Sequence, residues 1–285
     1  MITLEACAKI NLTLEVLGKR TDGYHEIRSV MQTISLCDKV VFEDAQCLNF
    51  QCAVPNWAAE KSLVSRAARL LMHRAGVQRG AKIVLDKSIP LSSGLGGDSS
   101  DAAAVLCGLA RLWGTGVQSS DLINLASTLG ADMPFFFNGG TALAQGRGDI
   151  IKTLPEMPRA WLVLLFPDVP KLTSKTATMY SMLNHEHLTQ GEYTDALALR
   201  LSHGATITSE DLSNVFEKVA LTAFSGLEHY WTKFQQAAGV PVHLAGAGPT
   251  IFALFNNESQ AVCVQQCLQN AGMNACLATT CGPVV

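Results

Sequence analysis

Residues 90–105, PLSSGLGGDSSDAAAV, combine glycines and serines between an alternating apolar stretch and a helix-like one. Small residues let backbone N–H groups approach an anion closely, and the start of a helix adds unpaired donors with partial positive charge. Ser99 or Ser100 could cap that helix or donate to a phosphate oxygen. The segment therefore predicts a phosphate-binding loop, and a tight strand-to-helix turn is the alternative.

Two common nucleotide motifs do not fit this loop. A P-loop reads GxxxxGK[ST], and no lysine follows these glycines. A dinucleotide fingerprint reads GxGxxG, and Ser99 stands where the third glycine would fall. The loop therefore needs another explanation.

Asp132 lies in GADMPFF, flanked by apolar residues and followed by Pro134. A carboxylate in that setting needs specific donors or a cation to stay ionised, which is the environment expected of a base that accepts a hydroxyl proton. An aspartate that caps the next turn is the alternative.

Lys9 interrupts the apolar stretch ACAKINL on a face that we expect to point inward. A lysine that faces inward needs an anionic partner. Asn11 follows two residues later, hence on the same strand face, and is a plausible substrate contact. A strand-edge lysine that serves only solubility is the alternative.

Alternating strand and helix patterns must position these residues. Strands are predicted at 2–16, 28–43, 82–89, 242–244 and 250–255, and a strongly apolar one begins at Trp161. Helices are predicted at 61–75, after the glycine loop, at 119–129 with a cap at Ser119 or Ser120, and near 174–184, 191–200, 211–218 and 224–239. Residues 130–149 are expected to form a loop and then a strand. Two prolines near residue 155 suggest a boundary between domains 1–155 and 156–285, so the fold class predicted is two-domain α+β.

Composition limits the classes of function. The 285 residues are 48% hydrophobic and 16% charged, with a net charge of −3 and no basic run, which argues against a nucleic-acid partner. No apolar stretch approaches the roughly 18 residues of a membrane span. The nine cysteines form no CxxC, so we expect buried or free thiols in a reducing cytosol. The sequence thus predicts a packed cytoplasmic protein.

The glycine loop resembles the phosphate-binding loop of the GHMP kinase superfamily, which includes galactokinase, homoserine kinase, mevalonate kinase and phosphomevalonate kinase. The closer resemblance is to the CDP-methylerythritol kinase family. Four blocks in the same order carry it: AKINLTLEVLGKRTDGYHEIRSVMQTISLCD (8–38), IPLSSGLGGDSSDAAA (89–104), LGADMPFFFNGGTALAQGRGD (129–149) and LAGAGPTIFALF (244–255). Together they extend from the first strand nearly to the C-terminus.

The resemblance implies a kinase of the non-mevalonate isoprenoid pathway, which transfers the γ-phosphoryl group of ATP to the 2-hydroxyl of CDP-methylerythritol. It also implies an N-terminal domain like the second domain of ribosomal protein S5 and a ferredoxin-like C-terminal domain. Mg²⁺ is expected to accompany ATP, with unnamed protein ligands. We expect a monomer or homodimer. The alternatives are another small-molecule GHMP kinase and a catalytically silent ligand-binding regulator on the same fold.

The resemblance also implies roles for individual residues. Asp132 and Lys9 match the catalytic aspartate and lysine, with Lys9 pairing with Asp132 and holding it ionised. Tyr24 and His25, in the turn DGYHE, would hold the cytosine, and Thr176 and Tyr180 resemble a second contact near the cytidine. The ATP-binding residues implied are Pro90, Leu91, Ser92, Ser93, Gly94, Leu95, Gly96, Gly97, Asp98, Ser99 and Ser100.

The chain departs from the family pattern at a few positions. Asp98 replaces a glycine, which adds negative charge near the phosphates and removes the freedom to adopt a positive φ. Lys175 stands where a serine is usual before Thr176, Ser62 replaces an asparagine, and Asp149 replaces a glutamate. We expect Asp98 to weaken ATP binding; the alternatives are that its side chain points outward, binds Mg²⁺ or caps the helix. The other changes are expected to retune adenine or cytidine contacts.

Overall fold

The structure, a computed structural model, describes residues 1–55 and 57–282. The first part of the chain carries seven of the strands, and its elements are β1 (Ile2–Asn11), β2 (Thr13–Lys19), β3 (His25–Ala45), β4 (Asn49–Cys52), α1 (Leu63–Ala75), β5 (Gly80–Asp86), α2 (Gly97–Trp113), α3 (Ser119–Leu129), α4 (Phe135–Asn138), β6 (Thr141–Gly146) and β7 (Ile150–Thr153). A 3₁₀ turn, Ala59–Lys61, precedes α1.

The later part of the chain is richer in helix. Its elements are β8 (Trp161–Leu165), α5 (Lys175–Ser181), α6 (Glu192–Ser202), β9 (Ser213–Asn214), α7 (Glu217–Ala223), α8 (Leu227–Ala238), β10 (His243–Leu244), β11 (Ile251–Phe255), α9 (Glu258–Asn270) and β12 (Ala275–Thr279). Two further 3₁₀ turns cover His185–His187 and Ser209–Asp211.

The long strand β3 organises the first of two sheets. Along one edge it pairs antiparallel with β2 and then β1, and along the other with β6 and then β5. The outer strands β4, β7 and β9 pair with β5, β6 and β2, respectively. This eight-stranded sheet therefore contains β9, which comes late in the chain.

The second sheet has four antiparallel strands in the order β10-β11-β8-β12. Apolar side chains of both sheets meet in one cluster, in which Ile10 and Leu12 pack with Leu164 and Phe252. Another cluster lies between the first sheet and the helices α1, α2 and α3. The predicted boundary near residue 155 falls between β7 and β8 and stays a prediction.

The second half of strand β1 is buried on both of its faces. Residues 6–11 are all buried, because α2 covers one face of β1 and the second sheet contributes to the core on the other side. The β1–β3 register shifts between Cys7 and Lys9, and such a bulge re-aims the side chains beside it. The predicted strand 2–16 is divided at Leu12, whose N–H donates to Val30 O at 2.8 Å.

Several sequence predictions of secondary structure were wrong or incomplete. Neither predicted serine caps α3, because its N-cap is Gln118 and no side chain there bonds to the backbone. The helix predicted at 211–218 begins only at Glu217. Within 130–149, the short helix α4 precedes the strand. The sequence reading also missed β4, β7, β9, α9 and β12.

The prediction of free thiols was wrong for two cysteines. Cys7 and Cys37 face each other directly across β1 and β3 and form a disulfide. The other seven cysteines are free. Sequence spacing gives no signal for this pair, because the strand register alone places them opposite each other. In the described part of the chain, no helix is both long and apolar enough to cross a membrane.

Candidate active site

Residues from both halves of the chain line a cavity of about 970 Å³. Its walls come from β1, the glycine loop, the start of α2, the turn before β3 and the segment at the start of α5. The predicted residues that line it are Lys9, Asn11, Tyr24, His25, Pro90, Ser92, Ser93, Gly94, Gly96, Gly97, Asp98, Ser99, Asp132, Thr176 and Tyr180. Three others do not: Leu91, Leu95 and Ser100.

Leu95 and Ser100 hold the glycine loop to β1 instead of lining the cavity. The carbonyl of Leu95 accepts the N–H of Lys9 at 2.9 Å, and its side chain is buried in the core. The Ser100 hydroxyl donates to the carbonyl of Cys7 at 2.7 Å. Because these contacts fix the loop against the strand that carries Lys9, the loop and the lysine keep a set relative position.

Glycine is required at two points of the loop. Gly94 and Gly96 have φ values of 93° and 73°, which side-chain-bearing residues rarely adopt. A methyl group at Gly94 would lie 2.1 Å from the carbonyl oxygen of Ala245, in a second glycine-rich segment. The loop ends in the N-terminus of α2, a helix of 17 residues whose first N–H groups favour an anion.

Asp98 occupies the first turn of α2, where its backbone is helical. The concern that an aspartate could not adopt the conformation needed here was therefore wrong, because position 98 does not require a positive φ. Its exposed carboxylate also interacts favourably with the N-terminal end of the helix dipole. Its charge, however, still faces the cavity in which phosphates would bind.

Sequence reasoning missed a buried ion triad beneath this loop. The ammonium of Lys87 lies 2.6 Å from a carboxylate oxygen of Asp38 and 2.6 Å from one of Asp101, and the three side chains are almost fully buried. The second oxygen of Asp38 accepts the N–H groups of Ser88 and Ile89. The triad thus ties β3 and the segment after β5 to the first turns of α2.

The triad alters the ionisation of its members. Burial raises the pKa of Asp101 to about 7, although the Lys87 ammonium opposes this shift. Burial lowers the pKa of Lys87, but the charges and hydrogen bonds of Asp101 and Asp38 outweigh it and leave that pKa raised. Lys87 therefore stays charged.

Lys9 is buried, and its ammonium donates to the side-chain oxygen of Asn11 at 2.6 Å. The Asn11 amide in turn donates to the Ser29 hydroxyl at 2.8 Å. Burial lowers the pKa of Lys9, and the negative charge of Asp132 acts in the opposite direction. Asn11 therefore orients the lysine, and its role as a substrate contact stays a prediction.

The Asp132 carboxylate accepts a hydrogen bond from the Ser99 hydroxyl at 2.8 Å. It makes no ion pair with Lys9 within 4.0 Å among the contacts of residues 1–55 and 57–282, so the direct pairing that the sequence reading expected is absent from this structure. The two groups face the same cavity and interact through space. The first turn of α2 thus presents a hydroxyl to the candidate base.

Aromatic rings line the other end of the cavity. The rings of His25 and Tyr180 are stacked, with centroids 4.5 Å apart and planes 9° apart, and Tyr180 contacts Phe216 edge to face. The Arg147 guanidinium lies 4.8 Å from the centroid of the Tyr24 ring. Partial burial and the charge of Lys19 lower the pKa of His25, which favours a neutral imidazole. These groups can stack on a flat base and bond to its edge.

The cavity also offers groups that could hold Mg²⁺, the ion that the family resemblance leads us to expect with ATP. The Ser99 hydroxyl and the Asp132 carboxylate are hard oxygen donors that lie together in the cavity. Proteins usually bind Mg²⁺ through one or two such groups together with substrate phosphates.

Comparison with known families gives a consistent result. The family model described as GHMP kinases N terminal domain matches residues 62–140, and the one described as GHMP kinases C terminal matches residues 195–274. The solved structure of a 4-(cytidine 5'-diphospho)-2C-methyl-D-erythritol kinase superposes with a TM-score of 0.83 at 33% identity, covering 99% of this chain and 100% of that one. A homoserine kinase from Cytophaga hutchinsonii shares the fold, with a TM-score of 0.76 at 17% identity and coverage of 99% and 95%.

Curated relatives extend the similarity over the whole chain. A 4-diphosphocytidyl-2-C-methyl-D-erythritol kinase of Dehalococcoides mccartyi is 44% identical over 284 residues, which is 100% of both chains. One of Symbiobacterium thermophilum is 40% identical over 257 residues, covering 88% of this chain and 89% of that one.

A glycine loop that opens onto a carboxylate and a lysine, within a fold matched in both halves by these models, defines an ATP-dependent kinase of the GHMP class. The predicted α+β fold and kinase activity are thereby confirmed. Within that class, the chain belongs to the 4-diphosphocytidyl-2-C-methyl-D-erythritol kinase family.

Proposed function

We propose that the protein transfers the γ-phosphoryl group of ATP to the 2-hydroxyl of 4-diphosphocytidyl-2-C-methyl-D-erythritol, in isoprenoid precursor biosynthesis. The observation that carries the proposal is that one cavity is lined by the glycine loop, by both Lys9 and Asp132, and by the aromatic groups at its far end. The glycine loop suits the triphosphate of ATP. Lys9 and Asp132 suit a reacting hydroxyl group, and the aromatic groups suit the flat ring of a nucleobase. The relatives' names supply the identity of the acceptor.

Asp132 is the proposed general base. As the acceptor oxygen forms its bond to phosphorus and the bond from phosphorus to ADP breaks, the hydroxyl proton moves to a carboxylate oxygen of Asp132. The Ser99 hydroxyl, 2.8 Å away, orients this carboxylate by donating to it. Positioned proton transfer of this kind contributes about 10²–10⁴ to a rate.

Lys9 supplies positive charge next to the reacting group. Its ammonium carries three donor hydrogens, one of which is directed to Asn11. The others can bond to phosphate oxygens, and such contacts stabilise the charge that develops during transfer. Mg²⁺, when bound through the Ser99 hydroxyl together with the ATP phosphates, would neutralise charge on those phosphates.

The aromatic end is proposed to hold the cytosine. Tyr24 and Tyr180 offer ring faces, and a neutral His25 offers one donor and one acceptor to the edge of the base. Thr176 lies at the start of α5, within the same cavity wall. A GHMP kinase for a smaller alcohol would have no use for this end of the cavity.

A coupled assay of ADP release, with the product identified by mass spectrometry, tests the proposal. The wild type should phosphorylate 4-diphosphocytidyl-2-C-methyl-D-erythritol and leave homoserine and mevalonate unchanged. Asp132→Asn and Lys9→Met should each lower kcat by about 10² or more while the protein stays folded. Asp168→Asn, an exposed aspartate outside the cavity, is the matched control. A wild type that turns over mevalonate and not the cytidine conjugate would contradict the proposal.

A further inference from the structure

The ammonium of Lys175 bridges the two glycine-rich segments of the cavity. It donates to the carbonyl of Ser92 at 2.9 Å and to the carbonyl of Gly248. The two segments also bond directly, since the N–H of Thr250 donates to Ser93 O at 3.2 Å. Lys175 is therefore fixed at the place where the glycine loop meets the segment 245–249.

This lysine has little compensation for its charge. Among the contacts of the described residues, no carboxylate lies within 4.0 Å of its ammonium, and its two partners are neutral carbonyls. Burial and the positive charge of Lys9 lower the pKa of Lys175 to about 8, and the negative charge of Asp98 opposes them. A half-buried cation next to a second cation is costly unless an anion joins them.

The backbone on both sides of this contact is strained. Ser92 and Ser174 have φ values of 58° and 48°, and they are the two residues other than glycine with positive φ in the described chain. Ser92 supplies one of the carbonyls that Lys175 contacts, and Ser174 directly precedes the lysine. Non-glycine residues in this conformation are strained, and such residues tend to cluster at ligand sites. Here the two strained residues both adjoin Lys175: Ser92 contacts its ammonium group and Ser174 precedes it in the chain.

We propose that Lys175 binds the phosphates of the nucleotide and that its charge offsets that of Asp98. The inference rests on the proposed function and deepens it. Both side chains line the cavity, Asp98 from the first turn of α2 and Lys175 from the first turn of α5. They therefore place opposite charges next to the same ligand.

Simple electrostatics gives the expected pattern. The potentials of two fixed charges add at the phosphates, so removing Lys175 and removing Asp98 should change affinity in opposite directions. Removing both should nearly restore the original affinity. A lysine that only joined two loops would weaken binding when lost but would leave the salt dependence of the affinity unchanged, so the salt dependence separates the two roles.

The test is a set of four proteins: the wild type, Asp98→Gly, Lys175→Ser and the double variant. Binding of AMPPNP with Mg²⁺ is measured by calorimetry at pH 7 and at several salt concentrations. We expect Lys175→Ser to weaken binding about tenfold, Asp98→Gly to tighten it about three- to tenfold, and the double variant to lie within threefold of the wild type. The salt dependence of binding should also become shallower in Lys175→Ser, because one phosphate contact is lost.

Two further variants act as controls. Lys171→Ser removes an exposed lysine of the same segment that does not line the cavity, and it should bind AMPPNP as the wild type does. Lys175→Arg keeps the charge and should retain most of the affinity. If Lys175→Ser does not fold, Lys175→Gln replaces it with the same expectation.

The result that would overturn the inference is a change of less than twofold in Lys175→Ser, or a double variant that binds as weakly as Lys175→Ser. An Asp98→Gly protein that binds more weakly would also overturn it, since Asp98 would then assist the nucleotide. A wild type that binds AMPPNP without phosphorylating the cytidine conjugate would refute the proposed function and leave the comparison of the four proteins readable. A wild type that binds no AMPPNP would refute both.

Discussion

Lys87 and Asp101 form an ion pair of 2.6 Å directly beneath the glycine loop, and both side chains are almost completely shielded from water. A second carboxylate, that of Asp38, shares the same ammonium. The first turns of α2, which present Asp98 and Ser99 to the cavity, are therefore fixed from below by buried charge. The position of the loop depends on residues that do not themselves line the cavity.

Removing the shared cation should be more damaging than neutralising one of its partners. In Lys87→Met two carboxylates remain buried without their cation, so we expect the free energy of unfolding to fall by about 3–5 kcal/mol. In Asp101→Asn the ammonium keeps Asp38, and a loss of about 1–2 kcal/mol is expected. Urea denaturation measures both values. Equal losses in the two variants would contradict this account of the triad.

An alanine at Gly94 would have two costs, the strain of a positive φ and a steric clash, and a second glycine allows the two to be measured separately. Alanine at Gly94 would be strained at a φ of 93° and would lie 2.1 Å from Ala245 O. Gly114, at the end of α2, has a φ of 59° and nothing within 4 Å, so alanine there carries the strain alone. We expect Gly114→Ala to cost about 1 kcal/mol with normal kinetics. Gly94→Ala should cost about 2 kcal/mol more and raise the KM for ATP at least tenfold.

The Ser99 hydroxyl should affect the chemical step more than substrate binding. Because it donates to the Asp132 carboxylate at 2.8 Å, Ser99→Ala should leave the base less well oriented. A hydrogen bond to a charged group is worth about 1.5–3 kcal/mol, which predicts a fall in kcat of roughly tenfold or more. Steady-state kinetics with each substrate varied measures this. A change confined to the KM for the alcohol would argue against an orienting role.

Stacking at the far end of the cavity should determine affinity for the acceptor. Tyr180 stacks on His25 and contacts Phe216, and burial raises the pKa of its phenol to about 12, so the ring stays neutral. Tyr180→Leu should raise the KM for the cytidine conjugate about tenfold and leave the KM for ATP unchanged. Tyr180→Phe keeps the ring and should behave nearly as the wild type. A KM shift for ATP would mean that this end of the cavity is not specific to the acceptor.

Nucleotide affinity should weaken above pH 8. Without nucleotide, the Lys175 ammonium loses its proton as the pH rises through about 8, since burial and Lys9 lower its pKa while Asp98 opposes them. Bound phosphates favour the charged form, so affinity is constant below this pH and falls above it. Lys175→Arg, whose guanidinium stays charged, should lose less affinity between pH 7 and 9.5. Calorimetry with AMPPNP across this range gives the comparison, and identical profiles would exclude Lys175 as the titrating group.

Most of the site residues that were predicted from the sequence line the same cavity. Lys9, Asp132 and most of the glycine loop were predicted from residue types and a resemblance, and the structure places them on one cavity. These residues lie in local patterns, such as a lysine within an apolar strand or glycines before a helix. Patterns of this kind do not depend on distant parts of the chain.

The features that were missed depend on pairing between distant segments. Asp38, Lys87 and Asp101 meet because β3 pairs with β5 in a register that sets Lys39 opposite Asp86. The Cys7–Cys37 disulfide depends in the same way on the register of β1 with β3. The strand β9 has only two residues, too few for any periodicity to reveal. Lys175 was noted only as a departure from a pattern, because its carbonyl partners lie in two other segments.

The pairing of the short strand β9 predicts how a fragment made of the N-terminal half would behave. It pairs in parallel with β2, and nearby the N–H of Thr194 donates to Glu15 while the Thr194 hydroxyl contacts that of Thr13. A fragment that ended near residue 155 would leave the backbone groups of β2 open as an unprotected edge and expose the apolar surface around Ile10 and Leu12. Such edges invite intermolecular strand pairing. Expressed alone, the N-terminal half should therefore self-associate, and adding the C-terminal half in trans during refolding should suppress that aggregation.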